Sequence, residues 1–390
     1  MKILFIAPSF PYPLTHGGKI RMFNIIKYLS RNHKVTLACL SEDTIADYGP
    51  LSQYCEEIKV VTRKPQWLRE RKLFILGSDP YNAIRYSSGS FRNLLMELLK
   101  SRRFDVVQIE FPMMWQYARL VKDIPIVLDM HNIEYDLIRQ MKEASSNVLK
   151  KLLYGLEEKR LKQIEEDAWK ECSLCVAVSD RERDMISAHI RKDGRVITIS
   201  NGVDLERFAY VPKKTSERRI LFIGSMDYIP TIDSTDYLLE EIFPIILSKI
   251  EGVKLDIVGR SLWRIRDKLS AGEVALHENV PDIIPFLKKA DVLIDPLRIG
   301  AGTRLKILEA MAAGTPVVTT SKGCEGIKVK NGEHLLIADS SLDFADATVK
   351  LLTDRELSDS LTGNARQLVE EKYSWEKVVL TLERAIRALG

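Results

Sequence analysis

The run "GAGTRLKILEAMAAGTPVV", Gly300 to Val318, contains residue choices that ordinary helix chemistry disfavours. Gly300 and Gly302 precede a helical pattern. Thr303 is a good N-cap, so Arg304 and Lys306 fall in the first turn. The helix dipole is positive there, and each cation should cost a few tenths to about 1 kcal/mol. A capping box would place Glu or Gln at position 306, where this chain has Lys. An anion at the helix start reverses the sign, because free N–H groups, the dipole and both cations then point at it. Leu305, Leu308 and Ala312 form a core stripe, with Lys306, Glu309 and Ala313 beside it. If Lys306 meets a phosphate, Glu309 lies one turn deeper, within reach of hydroxyls attached to that phosphate. Two adjacent ribose hydroxyls are natural partners for it. A Lys306–Glu309 surface pair is the alternative, worth little, and the apolar flanks of Glu309 disfavour it.

A similar arrangement occurs near the start of the chain. In "THGGKIRMFNIIKYL", Gly17 and Gly18 stand before a helical pattern, with Lys19 and Arg21 in its first turns. Glycines let a backbone approach a ligand closely, although Gly-Gly is also a plain loop. G-x-G-x-x-G and P-loop patterns are both missing. In "VLDMHNIEYD", His131 follows a strand pattern and so stands at a strand's carboxyl end, where a functional role competes evenly with a structural one. The sequence shows no D-x-D pair, no His/Cys cluster of metal spacing and no G-x-S-x-G elbow. Charge on a departing diphosphate would fall to Arg304, Lys306, backbone amides and the dipole, so no metal or other cofactor is expected.

These residues need elements to hold them. Short apolar runs at 2–7, 35–40, 58–61, 105–109, 126–129, 174–178 and 196–199 alternate with helical patterns such as 19–29 and 91–99. A second series occupies 220–223, 254–258, 274–277, 292–295, 316–320 and 334–337. Such alternation predicts right-handed βαβ units and parallel sheets. Two series predict an α/β protein of two doubly wound domains, as does a length of 390 residues. Residues 201–219 are polar and aperiodic and read as the linker. Ligands bind at the carboxyl ends of parallel strands, so two facing sheets would place the site in a cleft. Residues 148–171 read as a long helix whose mixed charges form a solvated face.

A net charge of +4 is too weak to argue for nucleic acid, but it allows an anionic substrate or membrane surface. No signal peptide or transmembrane stretch is expected. Five cysteines suggest reduced thiols and a cytoplasmic setting. The lone C-x-x-C at Cys172 and Cys175 reads as two cysteines near a buried strand rather than a redox or metal pair.

The stretch "VPDIIPFLKKADVLIDPLRIGAGTRLKILEAMAAGTPVVTT" resembles the donor-binding core of glycosyltransferase family 4, retaining nucleotide-sugar enzymes of GT-B fold. "PSFPYPLTHGGKIRMFNIIKYL", "AVSDRERDMI", "ISNGVDLERF" and "YSWEKVV" are similar too, so the resemblance covers essentially the whole chain. It implies two Rossmann-like domains: residues 1–205 on the acceptor side, 206–373 binding the donor, and a last helix within 374–390 crossing back. It implies Glu309 on the ribose, and Gly302, Thr303 and Arg304 in a loop whose amides approach the diphosphate. Gly17 and Gly18 would close over the diphosphate, and His131 would sit beside the donor sugar. There are two departures. The family's second glutamate, eight residues before Glu309, is Ala301 here. Its usual Arg and Lys after the first strand of the second domain give way to "GSMDYIPTIDS", which offers Ser225 and Asp227. Arg304 and Lys306 would replace those cations, with Ser225, Asp227 and Arg260 completing the donor-binding set.

The implied reaction moves a sugar from a UDP- or GDP-sugar to a glycan or lipid-linked acceptor, with retention and without metal. Two other readings stay open: a further GT-B activity such as nucleotide-sugar 2-epimerisation, and a non-catalytic nucleotide-sugar-binding subunit, which Ala301 favours. Peripheral contact with the inner face of a membrane is suggested by Arg63, Lys64, Arg69, Arg71 and Lys72, with Trp67 among them. An ordinary solvated face explains that run equally well.

Overall fold

The computed structural model describes residues 1–190, 195–212, 217–268 and 272–389. The chain folds as two compact units, Met1–Ser200 with Trp375–Gly390, and Asn201–Ser374. The first unit carries a seven-stranded sheet in the order β3-β2-β1-β4-β5-β6-β7. Its strands are β1 (Lys2–Ala7), β2 (Lys34–Ser41), β3 (Glu57–Thr62), β4 (Val106–Glu110), β5 (Ile126–Asp129), β6 (Leu174–Ala177) and β7 (Val196–Thr198). The second unit carries a six-stranded sheet in the order β10-β9-β8-β11-β12-β13. These are β8 (Arg219–Ser225), β9 (Lys254–Arg260), β10 (Val274–Glu278), β11 (Val292–Asp295), β12 (Val317–Thr319) and β13 (Leu336–Ile337). Every pairing is parallel.

These strands stand where the sequence has short apolar runs, with ends displaced by no more than two residues. The cause is burial on both faces, which makes a parallel strand read as a continuous apolar run. In β8, Ile220 and Phe222 pack into one core with Tyr237, Ile246 and Phe344. Leu221 points the other way, into a core with Leu308, Met311 and Val369. This period-two alternation is what places helices on both sides of the sheet. In each sheet the strand order reverses once, between β1 and β4 and between β8 and β11. The carboxyl ends there form the crevice where doubly wound sheets bind ligands.

Residues 201–219 do not behave as a loose linker. Val203 and Phe208 are buried in the second unit's core. Val203 N–H donates to the Tyr373 carbonyl at 2.7 Å, and Arg366 Nη1 donates to the Phe208 carbonyl at 3.1 Å. Two apolar residues five apart show neither a helix nor a strand period, so the stretch reads as polar. Residues 213–216 of it lie outside the described residues. The last helix, Trp375–Arg387, buries Trp375, Val378, Val379, Leu382 and Ile386 within the first unit. There Glu383 meets His33 at 3.1 Å and Arg387 at 2.7 Å. Cys175 is buried on β6, Cys172 is half-buried beside it, and both are free thiols.

One close approach in the second sheet tolerates no side chain. A Cβ on Gly259 of β9 would lie 1.7 Å from the Gly224 carbonyl oxygen of β8. Gly259→Ala should therefore cost more than the roughly 1–3 kcal/mol of ordinary overpacking. Gly363→Ala, where nothing lies within 4 Å in a helix interior, should be neutral or stabilising by about 0.5–1 kcal/mol. Denaturant melts of both variants test this, and comparable midpoints would refute the strand contact.

Candidate functional site

In the second unit Ser225 ends β8 and Arg260 ends β9, Asp227 follows β8, and Gly302, Thr303 and Arg304 lie between β11 and the next helix. The helix after β11 spans Leu305–Ala313, and Arg304 rather than Thr303 occupies its N-cap, without a side-chain cap. This corrects the expected capping role of Thr303. Its hydroxyl accepts the Asn201 N–H at 3.2 Å, and its carbonyl accepts from Asn201 Nδ2 at 3.1 Å. Asn201, far away in sequence, thus fixes the loop and leaves the helix start uncapped. Gly302 has φ +74, the left-handed conformation that favours glycine.

Lys306 is the larger correction. Its Nζ donates to Asp295 Oδ1 at 2.8 Å and to the Ile223 carbonyl at 2.7 Å. Asp295 is fully buried at the end of β11, so a lysine in the first helix turn is explained by a carboxylate of the protein itself. Arg304 behaves differently. Its Nη1 donates to the carbonyls of Ala301 and Gly302. Its Nε and Nη2 are shielded from solvent and have no protein partner. Arg260 ends β9 opposite Ser225 of β8. Asp227 is engaged by Ser261 Oγ at 2.8 and 2.9 Å.

Glu309 lies on the same helix and is 8% exposed. Burial raises its carboxyl to about 7, opposed by the nearby charges of Arg207 and Lys306, with Asp282 adding to the rise. The alternative surface pair with Lys306 does not form, since that lysine is bound to Asp295. A carboxylate desolvated without a compensating partner is expensive to keep. Such a group marks a site whose partner comes from outside the chain.

In the first unit, Gly17 opens the helix Gly17–Leu29, and His16 caps it by accepting the Lys19 N–H at 3.4 Å. Arg21 is not free for an anion. It is buried and donates through Nε and Nη2 to the two oxygens of Asp129, both at 2.8 Å. His131, one residue past Met130 at the end of β5, stacks on Phe111 with centroids 3.7 Å apart. Its Nε2 lies 2.7 Å from Glu110 Oε2, and Gln108 Nε2 donates to Glu110 Oε1 at 2.7 Å. Burial first, then the charge of Asp129, pushes Glu110 well above the usual carboxylate range. Burial first, then Arg21, pulls His131 well below its ordinary value. Both shifts disfavour charge on the pair. Phe111 and His131 both have positive φ, +66 and +39, a strained conformation for such side chains.

Sequence spacing does not reveal that Glu110, Asp129 and His131 converge, with ligand atoms within 4.8 Å of one another. As they stand they fit a metal poorly: Arg21 holds both Asp129 oxygens, and Gln108 and His131 hold those of Glu110. Nor does the sequence single out Asn201 and Arg207, although both fall in the "ISNGVDLERF" segment.

Two doubly wound parallel sheets with chemistry gathered at their switch points make the GT-B architecture. Residues 15–207 match the family described as Glycosyltransferase Family 4, and residues 217–354 match Glycosyl transferases group 1. The chain belongs to the family 4 glycosyltransferases. It is 22% identical over 393 residues to a 44.6 kDa protein in the cps region of Klebsiella pneumoniae, covering 97% of each chain. It is 28% identical over 230 residues to the capsular polysaccharide biosynthesis glycosyltransferase CapM of Staphylococcus aureus, covering 52% of this chain and 59% of that one. The solved structure of Anabaena HepE in complex with UDP-glucose superimposes with a TM-score of 0.70 at 16% identity, over 100% of both chains.

Two stability measurements follow. The folded pKa of Glu309, about 7, exceeds an unfolded value of about 4.3. The stability it permits is fully present below the unfolded value and is lost as pH rises through the folded one. Glu309→Gln should match the parent near pH 4 and exceed it at pH 8, by on the order of 2–4 kcal/mol. A pH-independent difference in urea melts would contradict this desolvation. Lys306→Gln should instead cost about 3–5 kcal/mol, because it leaves Asp295 buried without its cation. An unchanged midpoint would return Lys306 to the anion-facing role that the sequence suggests.

Proposed function

We propose that the protein is a retaining, metal-independent glycosyltransferase that moves a sugar from a UDP- or GDP-sugar to a glycan or lipid-linked acceptor. Its setting is the assembly of a cell-surface polysaccharide, on the cytoplasmic side. The observation that carries this reading is Glu309, a desolvated carboxylate without a protein hydrogen bond. Two ribose hydroxyls would donate to it and offset its desolvation. The diphosphate is assigned to the uncapped helix start, to the Gly302–Thr303 amides and to the unpaired N–H groups of Arg304. Arg260, with no partner for its side chain among the described residues, supplies a second cation. Lys306 contributes through its position behind the loop.

The reaction forms a bond between an acceptor oxygen and the anomeric carbon as the bond to the β-phosphate breaks on the same face. The acceptor proton passes to a β-phosphate oxygen, and no carboxylate is assigned as a covalent nucleophile. Arg304, Arg260 and the helix dipole stabilise the charge that gathers on the leaving diphosphate. His131, held in orientation by its contact with Glu110, is the first unit's candidate contact to the sugar. Gly17 and Gly18 are its candidate approach to the diphosphate. Likeness to HepE, solved with UDP-glucose, supports the donor class, and likeness to the capsular glycosyltransferase CapM supports the polysaccharide setting. Five free thiols fit the cytoplasmic side.

The test combines binding and turnover. UDP or GDP should raise the melting temperature, and Glu309→Gln should weaken nucleotide binding at least tenfold in calorimetry while remaining folded. Turnover should persist in excess EDTA and give a product of retained anomeric configuration. Unchanged nucleotide affinity in Glu309→Gln sinks the ribose assignment, and loss in EDTA restored by magnesium or manganese sinks metal independence. Product formed without acceptor would identify an epimerase. Binding without turnover on any acceptor pool would identify a non-catalytic subunit, the reading that Ala301 favours.

A further inference from the structure

The helix Trp67–Leu76 in the first unit turns only two side chains inward, Glu70 and Phe74. A cavity of about 540 Å³, lined among others by Arg63, Glu70, Leu73 and Trp115, lies beside it. Its remaining residues are exposed, among them Trp67, Leu68, Leu73, Ile75 and Leu76. At 100° per residue, Leu68, Lys72, Ile75 and Leu76 fall within about 100° of arc opposite the two anchors. The long helix Val148–Glu171 opens in the same way. Val148, Leu149, Leu152 and Leu153 are exposed around Lys150 and Lys151. The apolar residues of the two segments are 41–74% exposed, far from the scattered single contacts of an ordinary surface.

The two segments belong to one side of the unit. Arg160 of the long helix donates to the carbonyls of Phe74 at 2.6 Å, Gly77 at 2.5 Å and Asp79 at 3.2 Å. One turn earlier, Glu157 accepts the Tyr81 N–H at 2.9 Å. Leu153 stands seven residues before Arg160, roughly 10 Å along the helix. The end of the short helix is therefore tied just beyond the apolar start of the long one.

Charge on the patch is segregated by sign. The exposed charged residues of the two segments are Arg69, Arg71, Lys72, Lys150 and Lys151. The one acid of the short helix, Glu70, is turned inward onto Arg63 at 2.7 Å. In sequence the nearest exposed acids, Asp79 and Glu143, lie outside both segments, and Asp167 and Glu171 line the cavity on the short helix's inner side. In a chain with 58 basic and 54 acidic residues, a solvated face would mix the signs. A second copy of the chain fits badly, because an isologous contact would set five cations against five.

We propose that this face lies on an anionic lipid bilayer, with the Leu, Ile and Trp side chains entering the interfacial region. Lys72, Lys150 and Lys151 run their stems along the apolar surface and place their ammonium groups among the headgroups. Among the described residues no helix is long and apolar enough to cross a membrane, so the contact is one of surface docking. The inference builds on the proposed lipid-linked acceptor: docking brings the transferase to a substrate confined to the same surface.

Flotation of the full chain with vesicles of phosphatidylcholine, with and without phosphatidylglycerol, tests it. Binding should require the anionic lipid and weaken as salt rises. The double variant Leu68→Ser with Leu76→Ser should lose at least tenfold in partitioning with an unchanged melting temperature. Lys72→Gln and Lys151→Gln should each lose roughly fivefold. Equal recovery from both vesicle types, or double-variant flotation equal to the parent's, overturns the inference. A monomer–dimer equilibrium in sedimentation that the double variant abolishes assigns the face to a second copy, and capture of a soluble acidic protein that it abolishes assigns it to that partner. Both outcomes overturn bilayer docking. Nucleotide calorimetry on the same preparation separates the two readings: nucleotide binding without flotation defeats docking alone, and flotation without nucleotide binding defeats the donor assignment alone.

Discussion

A buried carboxylate at the end of a parallel strand, matched by one cation from a neighbouring helix, holds each unit's crevice in shape. In the second unit the pair is Asp295 with Lys306, and Lys306 also takes the Ile223 carbonyl of β8. One ammonium thus ties together β8, β11 and the helix that follows. In the first unit the pair is Asp129 with Arg21, joined through both carboxylate oxygens, and Arg21 adds the Ser200 carbonyl at 3.1 Å. Removing either partner would strand a charge in a low-dielectric interior, a penalty of several kcal/mol that makes these junctions rigid.

Rigidity at the junction decides what is left over for a ligand. Once Lys306 and Arg21 are committed to carboxylates, the groups without internal compensation stand out. Around the second unit's junction they include Glu309, desolvated and without a protein hydrogen bond, the shielded and unpaired Nε and Nη2 of Arg304, and Oδ2 of Asp295 itself. Folding alone would favour Gln or Leu at 309 and a shorter residue at 304. Groups that lower stability and persist on a rigid frame are where a binding partner contributes most, because it replaces hydration already lost. Arg304 at the N-cap and Glu309 in the middle of the same helix are five residues apart, little more than a helical turn.

The sequence reveals what local pattern determines. Among the described residues the strands of both sheets follow from their apolar runs, which burial on both faces makes unmistakable. The helix after Gly302 follows from period, whereas the first helix begins at Gly17, two residues before its helical pattern. The anomaly of cations in the first turn is also visible, but local pattern assigns its cause to an anion outside the chain. Lys306 finds its partners 11 and 83 residues away, and Arg21 finds Asp129 at 108. Thr303 reads as a cap because the competing donor, Asn201, lies 102 residues earlier. Each error has the same source: local pattern gives a polar group a local role, while a partner from a distant strand end claims it. Glu309 escapes this error because its apolar neighbours on the helix already announce its burial.

The Gly-Gly pair shows how a functional-looking motif can have a structural requirement beneath it. A Cβ on Gly18 would sit 3.0 Å from Phe111 Cζ, tighter than van der Waals contact allows. Phe111 cannot retreat easily, for its ring is stacked on His131 and its backbone is held at φ +66. His131 is in turn held by Glu110, whose other oxygen is held by Gln108. A strained residue persists only where its surroundings over-determine it, and here the ring stack and the carboxyl contact supply that determination. A side chain at position 18 would therefore require the Phe111 ring to shift by a few tenths of an ångström against the imidazole. The glycine at the helix start and the oriented imidazole thus meet at one ring, and a side chain at position 18 would press on the edge of the Phe111 ring that stacks on the histidine.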